Sequence, residues 1–242
     1  ANTTWTNKPP VEVQVKCIDY TGLGCKKDVY TQLFYTEAKI GLVEMEDNTG
    51  NKGECSANTY IDLTPPSTPV IKNTYENKWI NKSYTVQVTS VDSTSGIAYF
   101  EYRYPNSDGK DGSGNPENEW HRYKNSSKDP GDNTPFVTTA FSKERDEYVE
   151  IRACDRAGNC SESGRSMIKI DKTRPTCTIT RNKANPDGLN GWYVTNVTLS
   201  LSTTNPKGTS DRAVASGISY DLKNKNKASY NGVTKKTQKE TK

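Results

Sequence analysis

Apolar and polar positions alternate with a period of two at three places in the chain, Val11-Glu-Val-Gln-Val15, Tyr84-Thr-Val-Gln-Val88 and Val197-Thr-Leu-Ser-Leu201. Successive side chains of a strand point to opposite faces, so each run predicts a strand with one face buried and one wet. Each run follows a Trp and an Asn, in Trp5-Thr-Asn-Lys, Trp79-Ile-Asn-Lys and Trp192-Tyr-Val-Thr-Asn. A polar turn comes next, as Asp19-Tyr-Thr-Gly-Leu-Gly24, Asp92-Ser-Thr-Ser-Gly96-Ile97 and, more distantly, Ala215-Ser-Gly217-Ile218. The last recurring element is a hairpin with an exit strand. Glu46-Asp47-Asn-Thr-Gly50-Asn51 leads to Ile61-Asp62-Leu-Thr-Pro-Pro66, and Cys154-Asp155-Arg-Ala-Gly158-Asn159 leads to Ile170-Asp171-Lys-Thr-Arg-Pro175. Asp and Asn beside Gly supply the side-chain caps and positive φ of a tight turn. Proline then stops the exit strand, because it has no N–H for a ladder and holds its predecessor extended.

The order of these anchors predicts three tandem segments, 1–64, 65–172 and 173–242. The middle one is complete. The first has no strand before Trp5, where the others have Pro69-Val-Ile71 and Cys177-Thr-Ile179. The third ends before any Asp-x-x-Gly-Asn hairpin, so its sheet is expected to lack its final strands, and the two ends of the chain are expected to be mobile. The middle segment carries an insertion at about 105–135, rich in Asn, Asp, Gly, Ser and Pro, which reads as a long surface loop.

The strings Asp47-Asn-Thr-Gly-Asn51 with Tyr60-Ile-Asp-Leu-Thr-Pro-Pro66, and Asp155-Arg-Ala-Gly-Asn159 with Asp171-Lys-Thr-Arg-Pro175, resemble the junctions between bacterial extracellular immunoglobulin-like repeats of the HYR type. The resemblance covers nearly the whole chain as a pattern of turns and exits. It implies an all-β fold of tandem immunoglobulin-like β-sandwich repeats, the outer two truncated. It also implies a stalk or adhesin on the surface of a bacterium, often Gram-positive.

Composition agrees with thin, half-buried sheets: 31% of the 242 residues are hydrophobic, and the mean hydropathy is −0.91. The formal charge of +4, from 33 basic and 29 acidic side chains, is too evenly mixed to point to nucleic acid. Seven lysines between Lys223 and Lys242 make the last residues locally basic; a solvated, frayed terminus is the expectation, contact with anionic cell-wall polymer the alternative. No apolar run approaches the roughly 18–20 residues that span a bilayer. The chain is expected to be a monomeric part of a longer protein.

Six cysteines allow fifteen full pairings, and spacing narrows them. Cys154 and Cys160 flank a turn whose arms come within disulfide reach, and Cys17 and Cys25 bracket an interstrand loop. Two short-range disulfides, Cys17–Cys25 and Cys154–Cys160, are therefore expected, with Cys17–Cys55 the rival, and they imply an oxidising compartment. The family pattern implies that Cys55 and Cys177 find partners beyond the two ends. Neither short pair has the Cys-x-x-Cys form of a zinc site.

Catalytic chemistry is hard to assemble. His121 is the only histidine and sits in the insertion without an evident nucleophile, and Gly109-Lys-Asp-Gly112-Ser-Gly114 lacks the Lys-Ser of a phosphate loop. No catalytic residue and no cofactor are expected. Asn106, Asp108, Asp111, Asn115, Glu117 and Glu119 offer hard oxygen ligands in one loop, but Lys110 interrupts the EF-hand pattern, so calcium is a minor alternative to a solvated acidic loop. Tyr104, Trp120, His121 and Tyr123 are the candidate ligand-binding residues, as a stacking platform for a glycan or a host protein. A structural spacer is the leading expectation and an adhesin gripping through the insertion the alternative.

Overall fold

The computed structural model describes residues 4–20, 22–195 and 197–204, and the strands Gly217–Tyr220, Ala228–Asn231 and Lys235–Glu240. The protein is all-β, built from small antiparallel sheets, with no α-helix among the described residues. The expectation that the two ends are mobile falls in part on residues 1–3, 205–216, 221–227, 232–234 and 241–242, which lie outside the described residues. The chain forms two compact units, the first comprising Ala1–Glu76, Tyr84–Phe141 and Glu147–Ile168, the second Asn77–Ser83, Ser142–Asp146 and Lys169–Lys242.

In the first unit β1 (Val11–Lys16) pairs with β2 (Val29–Phe34), and β3 (Ala38–Glu46) turns through Asp47–Asn51 into β4 (Lys52–Ile61). Val13 is buried between exposed Glu12 and Gln14, as the alternation requires. The larger core follows, in β5 (Val70–Lys72), β6 (Gln87–Thr89), β7 (Ile97–Arg103), β8 (His121–Arg122), β9 (Phe136–Val137), β10 (Arg145–Asp155) and β11 (Gly164–Ile170), of which residues 145–146 and 169–170 are counted in the second unit. These strands make a three-stranded sheet ordered β5-β6-β9 and a four-stranded sheet ordered β11-β10-β7-β8. Tyr84, Val86 and Val88 are buried while Thr85 and Gln87 face water. Phe100 of β7 is fully buried and stacks on Phe136 of β9 with ring centroids 5.3 Å apart, joining the two sheets. Val149, Ile151 and Ile168 complete this core with no exposed surface.

In the second unit β12 (Thr176–Arg181), β13 (Val197–Thr204), β14 (Gly217–Tyr220), β15 (Ala228–Asn231) and β16 (Lys235–Glu240) form a sheet ordered β12-β13-β16 and a separate pair β14-β15. Strand β16 lies in the basic stretch expected to be frayed and pairs with β13, Val197 opposite Glu240 and Ser202 opposite Lys235.

One set of bonds recurs. The Thr6 N–H donates to the Tyr60 carbonyl (2.9 Å) and the Asp62 N–H to the Thr6 carbonyl (3.0 Å). The Ile80 N–H donates to the Lys169 carbonyl (3.0 Å) and the Asp171 N–H to the Ile80 carbonyl (3.0 Å). Each is a short parallel bridge between the residue after a Trp and an exit strand. A glutamate then seals each exit. Glu37 accepts from the Leu63 N–H (3.1 Å) and the Thr64 hydroxyl (2.7 Å). Glu144 accepts from the Lys172 N–H (3.0 Å) and the Thr173 hydroxyl (2.6 Å).

Candidate metal centre

Three of the anchor motifs converge in the first unit. Asp62 follows β4, Asp92 opens the turn between β6 and β7, and Asp155 ends β10, where the ladder to β7 slips register. Such bulges re-aim a side chain at the end of a pairing. One carboxylate oxygen from each lies within 4.8 Å of the others. Their residues are 0%, 5% and 2% exposed.

Backbone N–H groups hold each carboxylate in place. Asp62 accepts from the N–H groups of Thr64 (3.1 Å) and Ser95 (3.0 Å). Asp92 accepts through Oδ1 alone, from Thr94 (3.1 Å), Ser95 (2.9 Å) and Gly96 (2.6 Å), which leaves Oδ2 without a hydrogen bond among the described residues. Asp155 Oδ1 takes the N–H groups of Ala157 (2.9 Å), Gly158 (2.7 Å) and Asn159 (2.8 Å), and Oδ2 the Asn159 side-chain amide (2.7 Å). Asn159 also donates to the Asp62 carbonyl (3.0 Å) and accepts from Asn7 (3.0 Å). The cluster therefore joins segment 1–64 to the middle segment. The turn fits only with glycine at position 96. Its φ is +76°, and a Cβ there would stand 2.7 Å from the Lys128 carbonyl oxygen and 2.8 Å from the Pro130 nitrogen.

No basic side chain pairs with this triad among the described residues. Arg156 donates to the Ser95 carbonyl (2.5 Å) and pairs with Asp129 (3.2 Å), and Lys128 lies 3.6 Å from Asp132. Unit charges of like sign 4 Å apart repel by about 1 kcal/mol in water and about 4 kcal/mol at a protein-like dielectric. The proton affinities register this. Burial raises the Asp62 carboxyl above its usual range against the pull of the Thr64 N–H, and the charges of Asp92 and Asp155 raise it further. Burial likewise raises Asp155 despite its Asn159 and Gly158 bonds, with Asp92 adding to the rise. The Ser95 side chain is 0% exposed and its hydroxyl has no hydrogen-bond partner, while its N–H is shared between Asp62 and Asp92.

A second grouping, Glu101 with Cys154 and Cys160, cannot bind a metal through sulfur, because the cysteines are bonded to each other across a Cα separation of 4.1 Å. Cys17 and Cys25 are also joined, with Cα atoms 6.1 Å apart, which removes Cys17–Cys55 as a pairing. Cys55 and Cys177 are free thiols.

The insertion does not gather its acidic residues into a site. Asp111 Oδ1 accepts from the N–H groups of Ser113 (2.8 Å) and Asn115 (2.9 Å), and Gly114 has a φ of +87°, so Asp111–Asn115 is a third turn of the Asp-x-x-Gly-Asn kind. The same letters at 47–51 and 155–159 were the available signal. Glu117 is buried and accepts from the Ser107 hydroxyl (2.8 Å). Among the candidate binding residues, Tyr104 and Tyr123 are core, 5% and 4% exposed. Tyr123 packs against Tyr102 (4.5 Å) and Phe136 (5.3 Å), and burial pushes its hydroxyl well above its ordinary pKa. The Trp120 ring has the guanidinium groups of both Arg103 (4.5 Å) and Arg152 (4.2 Å) over it. His121 donates from Nε2 to the Pro116 carbonyl (2.8 Å), and its Nδ1 stands 3.4 Å from Asp111. The four residues thus divide into two core tyrosines and two partly exposed rings.

No protein-family model matches the chain, and no curated protein matches it. No helix among the described residues is long and apolar enough to cross a membrane.

Proposed function

We propose that the chain is a non-catalytic structural spacer from an exported bacterial cell-surface protein, made of immunoglobulin-like repeats of the HYR type. The observation that carries this reading is the repeated joint. A residue after Trp bridges an Ile-Asp exit strand, and a glutamate seals the exit, once at Thr6, Ile61 and Glu37 and again at Ile80, Ile170 and Glu144. Repetition of a joint, rather than of a pocket, is what a load-bearing array of modules needs. The two disulfides support an oxidising, extracellular setting.

The adhesin alternative, in which the insertion binds a cell-wall polymer, a host glycan or a host protein, is weakened by the burial of Tyr104 and Tyr123. It rests on Trp120 and His121. Single-molecule stretching of the purified chain is expected to give discrete unfolding events, and glycan and matrix-protein arrays no saturable binding. Saturable binding lost on Trp120→Ala would replace the spacer by the adhesin.

A further inference from the structure

We propose that Asp62, Asp92 and Asp155 bind one calcium ion, with the Ser95 hydroxyl as a further ligand, at the joint between segment 1–64 and the middle segment. The inference does not rest on the spacer reading. Three carboxylate oxygens no more than 4.8 Å apart stand where a single cation can touch all of them. Oxygens at about 2.3–2.6 Å from one ion span about that distance across it.

The donor set selects the ion. Oxygen ligands without histidine or an available thiolate suit a hard cation rather than zinc. Magnesium keeps several waters in a near-ideal octahedron, which a buried group of backbone-anchored carboxylates does not accommodate; calcium takes six to eight oxygens in flexible geometry. Two further features of the surroundings point to an ion. The Ser95 hydroxyl is fully buried without a hydrogen-bond partner, on a residue whose N–H is held by both Asp62 (3.0 Å) and Asp92 (2.9 Å). The local arginine and lysine, Arg156 and Lys128, are engaged with Asp129 and Asp132 instead of neutralising it. A carboxylate triad buried this deeply calls for a counter-charge, and the protein supplies none from its own basic side chains among the described residues.

The test uses the whole chain, stripped with a chelator and returned to metal-free buffer at pH 7.5. Calorimetric titration with calcium chloride is expected to give saturable binding, and 5 mM calcium to raise Tm by about 5 °C. Asp92→Asn retains the Oδ1 acceptor of the turn and removes the charge. It is expected to weaken binding at least about tenfold and to abolish most of the Tm rise, with an unchanged far-ultraviolet circular dichroism spectrum. Asp62→Asn is the second variant should the first fail to fold. Asp111→Asn, in the same kind of turn without neighbouring carboxylates, is expected to keep the full response. Absence of any calcium effect on the wild-type chain, which would mean that a shared proton holds the carboxylates together, overturns the proposal. So does an undiminished response in both Asp92→Asn and Asp62→Asn, or an equal response to 5 mM magnesium.

Discussion

Glu150 lies at the centre of the charged face of β7 and β10, 2% exposed, with Arg103 Nε at 2.7 Å and Arg165 Nε at 2.7 Å. Burial alone would raise its carboxyl, but the two guanidinium groups outweigh burial and hold it below the usual range. A carboxylate lowered in this way stabilises the fold above its unfolded-state pKa, about 4.3, and loses that contribution as pH falls through the lower folded-state value. Glu150→Gln is therefore expected to cost about 2 kcal/mol at pH 7, and the difference from wild type in urea unfolding to shrink below about pH 4. Gly96→Ala tests a different force, backbone strain. Its positive φ and the oxygen and nitrogen atoms within 3 Å of a new Cβ predict a loss of at least about 1–3 kcal/mol in the same assay. Phe100→Ala, which empties the stack on Phe136, is expected to cost about 3–5 kcal/mol.

At the scale of elements, the Cys154–Cys160 bridge spans the turn that carries Asp155, with six residues of sequence separation. Closing so short a loop is worth about 2 kcal/mol by chain entropy, so Cys154→Ala with Cys160→Ala is expected to lower stability by about that amount in chemical denaturation without a reductant. The strands themselves were legible in sequence wherever one face is buried and the other wet, as in Val11–Val15, because burial imposes the period of two. Turns were legible where Gly must take positive φ beside Asp and Asn, at 47–51 and 155–159. Asp111–Asn115 carries the same signature but stands among Gly109, Gly112 and Ser113, so that its local order is lost in a composition typical of loose loops. The carboxylate triad is hidden for another reason. Asp62, Asp92 and Asp155 each lie in an anchor motif that has its own turn-capping role, and nothing local shows that strands 30 and 63 residues apart bring them together. The division of the insertion's aromatic residues was equally nonlocal: alternation in Tyr99–Tyr104 predicts two faces, while the burial of Tyr123 depends on contacts with Tyr102 and Phe136.

For the whole molecule, the described strands of the two units differ in how much apolar surface they bury. The first holds Phe100, Ile97, Val149 and Ile151 with no exposed surface, whereas every residue of β12 in the second is exposed. Hydrogen exchange followed by mass spectrometry is expected to find the slowest amides in β7 and β10 and much faster exchange in β12 and β13; equal protection would show that cooperativity overrides this difference. The short range of the two disulfides, eight and six residues of separation, has a consequence for biogenesis. If the chain is exported as proposed, each bond can close as soon as its own loop has emerged from a translocation channel, before any distant part of the chain has arrived. Oxidation can then keep pace with vectorial delivery, and a nascent chain carries its cross-links before it has assembled the sheets that they will brace.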